Sequence, residues 1–118
     1  WDMGKATEIV SGLLVAHPDL RGVLCANDTM ALGAVAALRA AGKRGTVDVV
    51  GFDHIDAIKP LVRTGDVLAT ADMHADRLAA YGVDYALEIL RTRAAPADRE
   101  TPVDLVTAPT AGVAERPG

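Results

Sequence analysis

Val47-Asp48-Val49-Val50-Gly51-Phe52-Asp53 is the stretch on which the reading of the chain turns. A short apolar run bounded by turn residues reads as a buried strand, and this one, Val47 to Phe52, ends by delivering a carboxylate. Upstream lies a second such run, Gly22 to Ala26, followed by Asn27-Asp28 as a helix start and an Ala- and Leu-rich helix over 29–41. Gly42 closes that helix as its cap. Downstream, Ile55 to Arg63 reads as a short helix interrupted by Pro60. Gly65 then turns the chain into a third strand, Val67 to Ala71.

Helices bracket this series. Residues 4–16 place Ile9, Leu13 and Ala16 on one face with Val10 and Leu14 beside them, and His17-Pro18-Asp19 stops the helix. Residues 75–92 make the longest helix, with Leu78, Val83, Ala86, Leu87 and Leu90 on or near its expected buried side. Ala94 to Pro102 is a polar loop containing Pro, Val103 to Val106 suits one last short strand, and 108–118 is expected to be a flexible tail. Alternating helical and strand periods define an α/β fold: a parallel sheet with flanking helices and right-handed crossovers. Ligands of such sheets bind beyond the carboxyl ends of the strands. That rule selects Ala26–Asp28, Asp53–His54 and Asp72–His74.

Composition narrows the classes. Half of the 118 residues are apolar, yet the aromatics are only Trp1, Phe52, Tyr81 and Tyr85, so the core is expected to consist of Ala, Val, Leu and Ile. Twelve basic against sixteen acidic residues, a net charge of −4, argue against nucleic acid as a partner of this segment. No apolar stretch is long enough to span a bilayer, and no signal peptide is evident. Cys25 reads as a small buried hydrophobe. No phosphate loop, nucleophile elbow or Cys–His pair is present, and no cofactor is expected.

His17-Pro18-Asp19-Leu20-Arg21-Gly22-Val23, Ala26-Asn27-Asp28-Thr29-Met30-Ala31-Leu32-Gly33-Ala34, Val49-Val50-Gly51-Phe52-Asp53 and Gly65-Asp66-Val67-Leu68-Ala69-Thr70 follow one another at a familiar spacing. In that order they resemble the ribose- and galactose-type periplasmic binding proteins, whose fold the lac-repressor family shares. The resemblance covers Trp1 to about Val106. It implies two α/β lobes that close on a sugar, of which residues 1–107 would hold the later part of the second lobe and one hinge crossing near Ala69–Met73. The chain, which does not begin with Met, is therefore expected to be a fragment, with an unpaired sheet edge and an uncovered apolar face that favour self-association. A membrane permease of an ABC importer is the implied protein partner, and the implied location is the periplasm or a lipid anchor outside the cell.

The resemblance also implies sugar contacts. Asn27 matches a strand-end Asn whose amide both donates to and accepts from hydroxyls; its competing reading is a helix cap. Asp53 matches the Asp at the next strand end, where a carboxylate accepts charge-assisted hydrogen bonds, and it too competes with a cap, for a helix from Ile55. Trp1 falls where relatives stack an aromatic on the sugar ring. Met73 departs from the pattern, since ribose-type relatives carry Gln there and a thioether accepts only weakly.

Two further functions stay open at this level. One is the effector domain of a lac-repressor-type regulator, although Thr64 to Thr70 reads more like the transport branch. The other is a small α/β enzyme using His54 and His74 with Asp53 and Asp72. Metal-ligand spacing is missing from that His/Asp set, and no metal is expected.

Overall fold

The computed structural model describes residues 1–108, so all but the first residue of the expected tail lies outside the described residues. Eight elements follow in order: α1 Met3–Ala16, β1 Gly22–Leu24, α2 Asp28–Ala40, β2 Asp48–Phe52, α3 Lys59–Thr64, β3 Ala69–Asp72, α4 Ala75–Thr92 and β4 Asp104–Thr107. They build one sheet in the order β1-β2-β3-β4. The first three strands are parallel, with Val23 beside Val49 and Gly51 beside Thr70. β4 returns antiparallel to β3, pairing Asp72 with Asp104. The parallel α/β reading therefore stands for three strands, and the fourth adds an antiparallel edge, as mixed sheets often do.

Local chemistry sets the helix ends. The Asp2 carboxylate accepts the Lys5 amide at 2.7 Å, and the Asn27 side-chain oxygen accepts the Met30 amide at 2.9 Å. At the far end of α2, Gly42 has φ +67°, the Lys43 amide donates to the Leu38 carbonyl at 2.8 Å, and the Gly42 amide donates to the Arg39 carbonyl at 3.1 Å. This pair of bonds is a Schellman cap, and glycine takes its left-handed residue without a Cβ clash. Pro60 opens α3 in its first turn, where no helical amide is needed, instead of interrupting a longer helix from Ile55.

The core is aliphatic, as composition requires. Ala31, Ala34, Val35 and Leu38 of α2 pack with Val49 of β2, with Ile58, Val62 and Val67, and with Val10 and Leu14 of α1. Each buried Val, Leu or Ile contributes roughly 1.5–3 kcal/mol. α1 and α2 approach so closely that a Cβ on Gly33 would lie 2.3 Å from the Met3 carbonyl oxygen. Thr7 bridges them, its hydroxyl donating to the Gly33 carbonyl at 3.1 Å.

Packing decides the buried face of α1 and corrects the one expected for α4. In α1 the buried residues are Val10 and Leu14, whereas Ile9 is 62% and Leu13 36% exposed. Those two belong instead to an open apolar trough beside β1, with Trp1, Val23 and Leu24. α4 has the expected bounds but buries no residue: Leu78, Val83, Leu87 and Leu90 are all exposed. Among the described residues nothing covers Val83, Leu87 and Leu90. The side carrying Tyr81 and Tyr85 is better tied, with the Arg99 guanidinium lying over the two rings at 5.2 and 5.3 Å.

Candidate functional site

The three segments selected by the strand-end rule do gather at one rim of the sheet, and the residue that gathers them is Asp28. It is fully buried, the first residue of α2. The Thr70 hydroxyl donates to one of its oxygens at 2.8 Å and the Ile55 amide to the other at 3.0 Å. One carboxylate thus ties the β1–α2 turn to the segment after β2 and to β3. Gly51 makes this possible, because a Cβ there would stand 2.0 Å from the Asp28 oxygen. An isolated buried carboxylate is unfavourable, and one holding two donors at good distance is retained.

Asn27 caps α2 with its oxygen, so the competing reading of that residue is realised. The cap leaves the amide nitrogen without a hydrogen bond among the described residues, and the side chain is half-buried. Asp53 behaves differently. Its competing role fails, since α3 begins only at Lys59 and has no side-chain cap. The Asp53 amide donates to the Ala71 carbonyl at 2.9 Å, while its carboxylate makes no hydrogen bond among the described residues. Burial first, and then the Asp28 charge, hold that carboxyl above its ordinary value. Asp53 and His54 have φ of 104° and 54°, a left-handed excursion that costs side-chain-bearing residues about 1–3 kcal/mol each and clusters at functional sites.

Trp1 is 85% exposed and lines the trough together with Ala26 and Met30, which flank Asn27 in sequence. Asn27 itself does not line the trough. Met73 is half-buried directly after β3, and its carbonyl accepts the Thr101 hydroxyl at 3.1 Å. Asn27 and the Asp53 segment are linked through Asp28, whereas no described contact joins Trp1 to Met73.

The two histidines form separate pairs. His54 Nδ1 lies 3.0 Å from Asp72, and His74 Nε2 lies 2.8 Å from Asp104. Asp72 also accepts the His74 amide at 2.8 Å. That amide and the His54 ring hold Asp72 below its ordinary value. Among the described residues no group of three or more His, Cys, Asp or Glu side chains could hold a metal. His54–Asp72 instead joins the segment after β2 to β3, and His74–Asp104 ties the start of α4 to β4.

Sequence reasoning placed Asp28 at a strand-end position and read it as a helix start, but gave its carboxylate no role, and gave Gly51, Thr70 and Asp104 none at the site. Gly51 carried the detectable signal: a glycine inside an otherwise β-branched strand marks a close approach. No pattern in the sequence announces that Asp28 turns inward.

The family described as periplasmic binding protein domain matches residues 1–94. The D-ribose/D-allose-binding protein of Pseudomonas aeruginosa is 49% identical over 113 residues, covering 92% of this chain and 35% of its own length. Among solved structures, an ABC transporter solute-binding protein from Burkholderia multivorans superposes with a TM-score of 0.83 at 50% identity, covering 91% of this chain and 38% of its own. A periplasmic solute-binding protein from Actinobacillus succinogenes with bound D-allose gives 0.84 at 30% identity, covering 91% and 37%. The chain thus spans about a third of the length of the curated relatives it matches.

Proposed function

We propose, from the premise that this chain belongs to the periplasmic binding protein family, that it forms part of the solute-binding component of a bacterial ABC importer and contributes one wall of a site for a monosaccharide or related polyol. The observation that carries the reading is the rim itself, where Asn27 and Asp53 each hold an unspent hydrogen-bonding function at the carboxyl ends of parallel strands. An amide that donates and a carboxylate that accepts suit adjacent sugar hydroxyls. Trp1 supplies an apolar surface for the C–H face of a sugar ring. Met73 offers apolar contact where a hydroxyl partner is not required.

The relatives are named for binding and import, not for catalysis or transcription, which favours transport over the regulator and enzyme readings. In transport, lobe closure is a population shift driven by ligand contacts made only in the closed form. The closed form would present its surface to a membrane permease. The location that goes with this role is the periplasm or, by a lipid anchor, the outer face of the membrane. Left as a separate piece, the chain would pair through the exposed edge of β1 and its apolar trough.

A thermal-shift screen of the protein at its natural length against pentoses, hexoses and polyols tests the reading. A ligand present at a hundred times its Kd contributes about 2.7 kcal/mol and raises Tm measurably. Flat melting curves across all three sugar classes would sink the proposal.

A further inference from the structure

We propose that Asp28 is a positioning residue for the sugar-binding rim: reaching past Gly51, its carboxylate holds the Asp53–His54 kink through the Ile55 amide and Thr70, and so sets ligand affinity without touching ligand. This rests on the reading of the rim as a sugar site.

Three consecutive amides define the kink, and each has a different anchor. The Asp53 amide donates to the Ala71 carbonyl at 2.9 Å, the His54 amide to the Thr70 hydroxyl at 3.3 Å, and the Ile55 amide to the Asp28 carboxylate at 3.0 Å. Thr70 directs its own hydroxyl proton to Asp28 at 2.8 Å. Two of the three anchors therefore end on one buried carboxylate. The hydroxyl that steadies His54 is itself oriented by that charge, because a Thr donating to a carboxylate presents its lone pairs to the amide.

The kink needs such anchoring. Asp53 and His54 both adopt positive φ without being glycine, and such residues persist only where their surroundings over-determine them. Asp53 is the residue whose free carboxylate faces the task of binding, so an error in its backbone translates into a misplaced acceptor. The surroundings of Asp28 are committed to this arrangement. It is fully buried, its hydrogen-bonding partners among the described residues are neutral donors, and the β2 residue beside it is Gly51, where a Cβ would collide at 2.0 Å. A solvated helix-start carboxylate would require none of this.

The test uses the protein at its natural length and variants that preserve shape. Thr70→Val removes the hydroxyl with little change of volume, and Thr70→Ser restores it. In the sugar-free protein, Thr70→Val should speed exchange of the His54 amide about tenfold or more, and sugar Kd should rise by about tenfold. Thr70→Ser should return both to within about threefold of the parent. In Asp28→Asn the Asp53 carboxyl, followed by NMR, should titrate at lower pH than in the parent, because the neighbouring charge is gone while the His54–Asp72 pair is retained. A folded Thr70→Val protein with parental His54 exchange and parental affinity would overturn the inference, as would equal losses in the Val and Ser variants. If the parent itself binds no sugar, the proposed function fails, yet His54 exchange and the Asp53 titration still judge Asp28 independently.

Discussion

α2 and α4 are both amphipathic helices beginning beside the same rim, and they end in opposite circumstances. α2 has 13 residues with seven of them buried, Asp28, Ala31, Gly33, Ala34, Val35, Ala37 and Leu38, sandwiched between α1 and the sheet. α4 has 18 residues and buries none. Its hydrophobic periodicity is no weaker, which teaches that periodicity specifies a face needing a partner and says nothing about whether that partner is at hand.

Core truncation is the strongest way to break this contrast. Leu38→Ala should cost about 2–5 kcal/mol in urea denaturation of the chain. Leu87→Ala, at 61% exposure, should change stability by less than about 0.5 kcal/mol. Comparable losses at the two sites would mean that α4 is packed in solution. A loss at Leu87 that emerges only at natural length would instead identify the face as covered by the remainder of the protein.

Glycine replacement repeats the comparison at the backbone. Gly33→Ala drives a Cβ into the Met3 carbonyl oxygen, and overpacking of this kind should cost about 1–3 kcal/mol and loosen α1. A Cβ added at Gly82 in α4 would meet nothing within 4 Å, so Gly82→Ala should stabilise by about 0.5–1 kcal/mol through helix propensity. Thermal melts of the two variants should move in opposite directions.

A further effect, confined to acid, lies at Asp66. Asp66 anchors the C-terminal end of α2 to the start of β3, accepting from Arg39, Arg44 and Thr64. These donors, Arg44 foremost, hold its carboxyl at about 2 against an ordinary 3.8. A carboxyl depressed by folding stabilises fully above its unfolded value, so the contribution is intact above pH ~4 and disappears as pH falls toward ~2. It amounts to at most about 2 kcal/mol, less screening, since the two arginine side chains are 47% and 61% exposed. Asp66→Asn should flatten the acid limb of stability against pH in that window. An unchanged acid limb would remove Asp66 from the account.

Much of the fold could be read from residues alone because its signals are local. Asn27 and Gly42 bracket α2, and apolar runs mark each parallel strand. What escaped reading depends on partners distant in sequence. The choice between Ile9 and Val10 as the buried side of α1 is made by where α2 lies. The antiparallel return of β4 is made by its pairing with Asp72. At the site, position and resemblance led to Asn27 and Asp53. Asp28 stayed hidden because its meaning resides in two donors, 27 and 42 residues away.

The return of β4 carries a mechanical consequence. The chain leaves the sheet at Asp72 and re-enters it at Asp104, directly opposite, so α4 is a handle whose two roots sit side by side. Both roots meet at the Asp72–Asp104 end of the pair, so a load on the handle enters the sheet there and not at the Ala69–Thr107 end. That rung bears both the His54–Asp72 and the His74–Asp104 pairs. Any tug or push delivered to α4 is therefore felt first at these two His–Asp pairs, and the far end of the sheet is the last to notice.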